Sequence, residues 1–264
     1  MTLLQDLLTV LSGSLVGFSL GLIGGGGSVL AVPLLVYVVG IKSPHVAIGT
    51  SAFAVAANAA VNLFGHWRAG SVKIGCAVTY ALFGIAGAAI GSTVGKAIDG
   101  DRLLALFGVV MIVIAASMLR RPPSAGQPEV HLDRHSAGRL LPRLGVAALA
   151  TGFLSGFFGI GGGFLIVPGL VMSTGMPLIN AIGSSLVSVT SFGATTAANY
   201  AISGLVDWWI ALLLLAGGAL GGFAGTATAR HLAGQRKALS TAFAVIVGVV
   251  GVYVVWRGAP AIFG

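Results

Sequence analysis

Apolar residues run along this chain in ten blocks, five before residue 120 and five after residue 140. The first five cover about Leu3–Ile23, Val29–Val39, Ala47–Phe64, Ile74–Val94 and Leu103–Leu119. The second five cover about Leu141–Phe158, Phe164–Thr174, Ala181–Ile202, Trp208–Thr226 and Ala238–Trp256. Each block predicts a helix, and most are long enough to cross a bilayer. The second block of each set is not: as helix it would rise about 17 Å against about 30 Å of hydrocarbon. These two are expected to be half-helices or re-entrant segments.

The two sets are copies. At an offset of 135, Gly17-Phe18 meets Gly152-Phe153, Gly24 meets Gly159, Gly26-Gly27 meets Gly161-Gly162, Pro33 meets Pro168 and Gly40 meets Gly175. After a slip of one residue the offset is 134. There Ile48-Gly49-Thr50-Ser51 meets Ile182-Gly183-Ser184-Ser185, Gly70 meets Gly204, and Gly84, Gly87 and Gly91 meet Gly218, Gly221 and Gly225. The expected organisation is one repeat over 1–119, a polar connector over 120–140 and a second repeat over 141–264. Leu3–Ile23 is part of this fold rather than a secretory signal, because its start carries Asp6 without Lys or Arg and its counterpart lies mid-chain.

Composition fixes the solvent. Hydrophobic residues make up 56% of the chain and charged residues 8%, too few to coat a soluble body of this size. The chain reads as an all-α polytopic membrane protein of the inner cell membrane, in contact with lipid. The formal charge of +8 does not call for nucleic acid, because the Lys and Arg sit between apolar blocks and form no basic patch interleaved with aromatics. Their placement speaks to topology instead. If each half makes five crossings, the halves are inverted and the cations divide ten against four; if each makes four, the division is eight against six. The positive-inside rule favours inverted repeats, with the connector cytoplasmic and both termini outside. Cys76 has no second cysteine to pair with and reads as a small core residue.

The strongest motif is the doubled break: Gly21-Leu-Ile-Gly-Gly-Gly-Gly-Ser-Val-Leu-Ala-Val-Pro33 and Gly156-Phe-Phe-Gly-Ile-Gly-Gly-Gly-Phe-Leu-Ile-Val-Pro168. Consecutive glycines free backbone polar groups at membrane depth, which is tolerated only where they are buried in protein or line a cavity. Together with the Ile-Gly-Thr-Ser and Ile-Gly-Ser-Ser helix starts and the loop glycines Gly70 and Gly204, this pair resembles the sulfite exporter TauE/SafE family of membrane carriers, also called TSUP. The resemblance covers nearly the whole chain except the connector. It implies a multi-pass carrier for small sulfur-containing or organic anions such as sulfite, thiosulfate, sulfonates or sulfoacetate. One departure stands out: Leu22-Ile23-Gly24-Gly25 occupies the place of Phe157-Phe158-Gly159-Ile160, so the two copies need not contact substrate equally.

The breaks have a physical use. A half-helix starting near Ser28 or Gly163 presents unpaired N–H groups and the positive end of its dipole, and glycine lets a ligand come close to the backbone. Gly25, Gly26, Gly27 and Ser28, with Gly161, Gly162 and Gly163, are therefore the candidate anion-binding residues, the alternative being tight helix crossing. For Gly84, Gly87, Gly91 and Gly95, and for Gly217, Gly218, Gly221, Gly222 and Gly225, helix packing is the better reading. Ser51, Asn58 and Asn62 lie within about 40° of one another on a helical wheel, and Ser185, Ser188, Thr196 and Asn199 form a similar stripe. Ser51, Asn58, Asn62 and Ser185 are candidate donors to a bound oxyanion, with interhelical hydrogen bonding as their alternative role.

All six carboxylates, Asp6, Asp99, Asp101, Glu129, Asp133 and Asp207, fall near segment ends or in loops. That argues against a carboxylate-driven proton pump and leaves His45 and His66 as proton-coupling candidates. Nothing in the pattern calls for a metal or a cofactor. The glycine runs fail G-x-G-x-x-G, since Val29 and Phe164 take the last position, so nucleotide binding is rejected. Leu154-Ser155-Gly156 suggests an intramembrane serine protease, but Phe153 stands where that motif needs glycine. The expected function is a non-enzymatic secondary carrier of a small anion; a passive anion channel is the principal alternative, and the oligomeric state is open.

Overall fold

A computed structural model describes residues 3–23, 25–120, 134–231 and 236–263. Its helices are α1 (Leu3–Ile23), α2 (Ala31–Tyr37), α3 (Pro44–Arg68), α4 (Ile74–Ala97) and α5 (Gly100–Arg120), then α6 (Arg134–Phe158), α7 (Gly163–Thr174), α8 (Leu178–Ile202), α9 (Trp208–His231) and α10 (Arg236–Phe263). A 3-10 helix over Gly25–Leu30 precedes α2. Among the described residues there is no strand. The chain is an all-α, multi-pass membrane protein, with α2 and α7 at half length as the sequence predicts.

Most helices outrun the apolar blocks that predict them. α3 gains Pro44 to Val46 at its start and ends at Arg68, and α10 runs on to Phe263. Backbone N–H and C=O groups at a membrane interface are best satisfied within a helix, so polar residues prolong it where hydropathy alone would stop. The same effect moves the start of α6 to Arg134, inside the stretch read as connector. The connector's central part, 121–133, lies outside the described residues.

Among the described residues seven long helices are apolar enough to cross a membrane, and α8 is the long helix missing from that set. Its Ser184, Ser185, Ser188, Thr190, Ser191, Thr195 and Thr196 lower its hydropathy. Burial explains how it tolerates them: Ser184, Ser185, Ser188 and Thr196 are all fully buried. α3, its counterpart, buries a continuous stretch from Ala47 to Ala52. α3 and α8 pack on each other at the centre, and the more lipid-like helices surround them.

The outer helices exchange partners between halves: α1 packs on α9, and α6 packs on α4. Glycine makes this close. A methyl group built on Gly17 would strike the carbonyl of Gly218, and one on Gly91 would strike that of Phe153. The contacts also fix direction. Gly13, Gly17 and Gly21 face Leu214, Gly218 and Gly222, so residue numbers rise together and α1 runs parallel to α9. Gly87, Gly91 and Gly95 face Leu149, Phe153 and Phe157, so α4 runs parallel to α6. On the central pair Gly49 meets Tyr200 and Gly193 meets Ala52 and Ala56, which makes α3 and α8 antiparallel. α5 and α10 are antiparallel as well, with Gly108 against Val255 and Gly248 against Ala115. Cys76 is buried in α4 beside this core.

Candidate functional site

The second glycine break is a left-handed turn. α6 stops at Phe158, and Gly159, Gly161 and Gly162 then take φ of +67°, +66° and +67°. An L side chain is strained in that region, so three glycines in four positions are a backbone requirement. Between them Ile160 is fully buried and donates its N–H to the Ser155 carbonyl at 3.2 Å. The turn then reverses into α7. Gly162 is its N-cap, accepting from the N–H groups of Leu165 and Ile166 at 2.9 Å each, and no side chain caps the helix. The opening N–H groups of a helix have no partner within it, so α7 begins with donors available in a buried place.

Three helices wall this turn. Gly159 lies against Ile48 of α3, Gly161 against Val55 of α3 and Val189 of α8, and Gly162 against Ser155 of α6. Ser155 is the one polar side chain among these contacts. The break thus sits beside the middle of the central helix pair.

The first break folds differently: the half-helix expected from near Ser28 is present, but it opens as a 3-10 turn. Gly25 to Leu30 is 3-10, α2 begins only at Ala31, and none of Gly25, Gly26 and Gly27 has positive φ. Gly27 presses on Ser19 and Leu20 of α1, and Ser28 is fully buried. A 3-10 turn is narrower than an α-turn, which suits a segment wedged against a neighbouring helix. α7 starts at Gly163, as expected.

The polar candidates on the central helices are distributed as follows. Ser51 and Ser185 are buried at equivalent positions, and their hydroxyls donate to Ile48 and Ile182 carbonyls at 3.0 and 2.8 Å. Asn58 packs against Gly218 of α9, and Asn62 donates to the Asn58 carbonyl at 3.0 Å. Their neighbours hold loops: Thr50 accepts from the N–H of Asp207 at 3.0 Å, and Ser184 accepts from that of Lys73 at 2.9 Å. Thr50 and Ser184 are repeat mates, and so are Lys73 and Asp207, so this bond is made twice. Among the described residues three hydroxyls stand apart: Ser155, Ser188 and Tyr200 are fully buried and have no hydrogen-bond partner. The stripe on α8 includes Ser188, whereas Ser155 drew notice in the sequence only as a nucleophile; its place one turn before the helix break is what could have flagged it.

His45 and His66 occupy opposite ends of α3, about 30 Å apart along the axis. His66 Nδ1 is 2.9 Å from Ser71 Oγ. His45 Nδ1 is buried without a partner, with its ring 6.3 Å from that of Tyr200, whose hydroxyl is likewise unpartnered.

A helical membrane body of two pseudo-equivalent halves, with a half-helix starting from a buried backbone break, belongs to the class of membrane transporters. Within that class the chain belongs to the sulfite exporter TauE/SafE family, whose model matches residues 9–254. It is 50% identical over 257 residues to a "Probable membrane transporter protein" of Xylella fastidiosa (strain 9a5c), covering 97% of each chain. It is also 26% identical over 272 residues to "Probable membrane transporter protein YunE" of Bacillus subtilis (strain 168), covering 94% of this chain and 97% of that one. With "Probable membrane transporter protein MJ0441" of Methanocaldococcus jannaschii it shares 31% identity over 198 residues, 70% of this chain and 69% of that one. No solved structure matches.

Proposed function

We propose that the protein is a secondary carrier for small anions of the sulfur-containing kind, such as sulfite, thiosulfate, sulfonates or sulfoacetate, and that it acts in the inner cell membrane without catalysing a covalent step. The observation that carries this reading is the Gly159–Gly162 turn: uncapped helix donors, at backbone positions only glycine occupies easily, walled by the middles of α3 and α8. Helix N-termini favour negative charge, and at membrane depth that preference is not screened by water. Ser155 supports the non-enzymatic reading, since no base is in hydrogen-bond reach of its hydroxyl.

The two halves are inverted repeats in this proposal. The support is directional: α1 runs with α9 and α4 with α6, while α3 opposes α8 and α5 opposes α10. Each helix then points opposite to its repeat mate, and each half makes five passes. This is the arrangement that gives the ten-to-four division of Lys and Arg, with the connector on the cytoplasmic side.

The test is flux into proteoliposomes loaded with sulfite, thiosulfate, a sulfonate or a carboxylate. A carrier saturates and shows counterflow of labelled anion against an unlabelled internal pool. Conductive current without counterflow would establish a channel instead.

A further inference from the structure

We propose that anion recognition is one-sided: the second break alone forms the site, Ser155 supplies its hydroxyl donor, and the class of ligand is a singly charged oxyanion. This rests on the anion-carrier reading and specifies its chemistry.

The argument starts from where membrane hydroxyls spend their protons. Serine and threonine in a helix ordinarily donate to the carbonyl three or four residues back, which satisfies them in a medium without water. Ser51, Thr151, Ser173, Thr174, Ser185, Thr190, Ser191, Thr195 and Thr196 all do so here. Ser155 and Ser188 do not, although both are fully buried. A buried hydroxyl without a partner is unfavourable, and the local remedy used by their neighbours is left unused. The placement of Ser155 supplies its reason: it lies against Gly162, the N-cap of the twelve-residue α7. An uncommitted hydroxyl therefore borders the helix start whose N–H groups are also uncommitted.

The first half differs at the matching positions. Gly27 lies against the Leu20 backbone and the Ser19 side chain, whereas Gly162 lies against the Ser155 hydroxyl; Leu20 and Ser155 match at the offset of 135. α2 is seven residues long and is entered through the 3-10 run, so it offers no comparable start.

The donors at the second break are neutral. Every Lys and Arg lies near an end of an apolar block, in a loop or in the connector, and Lys96, on the nearby end of α4, has its ammonium occupied by Asn199 and Ser203. The cost of dehydrating an ion grows with the square of its charge, so a cradle of hydroxyl and N–H groups holds a monoanion far more readily than a dianion. Hydrogen sulfite and simple sulfonates fit that description; sulfate, thiosulfate and sulfoacetate, with two charges each, do not, which narrows the anions proposed above.

The experiment uses purified full-length protein and two tetrahedral probes of similar shape, methanesulfonate with one charge and sulfate with two, titrated calorimetrically, with thermal unfolding read in parallel. The expected result is tighter binding of methanesulfonate, weakened about tenfold or more by Ser155→Ala, since a hydrogen bond to a charged partner is lost. Ser155→Thr, which keeps the hydroxyl, retains binding, and Ser191→Ala, whose proton is already spent on Val187, changes nothing. Unfolding of Ser155→Ala occurs at an unchanged or higher temperature, because no protein hydrogen bond is removed. Unchanged methanesulfonate affinity in Ser155→Ala, preference for sulfate, or loss of folded Ser155→Ala protein would each overturn this inference while leaving the anion-carrier reading in place. Wild-type protein that binds neither probe overturns both.

Discussion

Lys96 on α4 grips Asn199 on α8 at two points, with its ammonium 2.6 Å from the Asn199 side-chain oxygen and 3.0 Å from its backbone carbonyl. The same ammonium reaches Ser203 Oγ at 2.8 Å, and the Asn199 amide donates to Ser92 and Thr93 at 2.6 and 2.9 Å. A cation at the last turn of α8 also meets the negative end of that helix. The repeat mate of Asn199 is Gly65, and a methyl group built there would touch nothing within 4 Å. Gly65 has no side-chain oxygen to offer, so the side-chain half of this clamp has no counterpart at that position.

Removing the clamp should loosen α4 from α8. Lys96→Met is expected to lower stability by about 1–3 kcal/mol, because charged hydrogen bonds are lost and Asn199 is left undersatisfied. Thermal unfolding in detergent measures it, and in a double-mutant cycle with Asn199→Ala the two effects should fall short of adding. Additive losses would mean that the residues act separately.

The glycines of the break and of the helix crossings should fail in different ways. Gly162→Ala forces a methyl group against Ser155 and a side chain into φ of +67°, at a cost of about 1–3 kcal/mol of strain placed at the site itself. Anion affinity should drop by more than stability does. Gly87→Ala and Gly221→Ala would push into the carbonyls of Leu149 and Ser14, which lowers the yield of folded protein while the folded fraction keeps its affinity. Titration and size-exclusion yield on the same preparations separate the two outcomes.

The described carboxylates have structural work that does not require the membrane interior. Asp99 Oδ1 accepts from the N–H groups of Asp101 and Arg102 at 3.1 Å each, and Asp207 Oδ1 accepts from that of Ile210 at 3.1 Å. Asp6 Oδ1 accepts from the Trp209 indole at 3.2 Å. Replacing Asp99 or Asp207 by Ala is expected to cost about 0.5–2 kcal/mol as a lost helix cap, with anion flux per folded molecule retained. A loss of flux at full membrane abundance would show that a carboxylate drives transport.

Topology can be read with reporters. Alkaline phosphatase fused after Gly264 should be active, and a fluorescent protein at the same point dark, whereas fusions truncated within the connector should give the opposite pair. An active phosphatase in the connector would reverse the orientation drawn from the charge bias.

The order of elements was legible because membrane helices are written in bulk hydropathy and length. The half-length of α2 and α7 follows from counting residues, and the packing use of Gly87, Gly91 and Gly221 follows from their spacing on full-length helices. Helix ends were less legible, since the extension of α6 back to Arg134 depends on backbone hydrogen bonding rather than on apolar side chains. The candidate site was legible as a location and hidden as a geometry. Two nearly matching strings, Gly21–Pro33 and Gly156–Pro168, fold as a 3-10 run and as a left-handed turn. Glycine accepts either conformation at little cost, so the string itself does not choose. What chooses is the neighbour: Gly27 abuts Ser19 and Leu20, while Gly162 abuts Ser155. Likewise, that Ser51 and Ser185 hold carbonyls of their own helices while Ser155 and Ser188 hold none is written in no spacing rule, because a hydroxyl's partner is set by which groups the packed helices bring within about 3 Å of it.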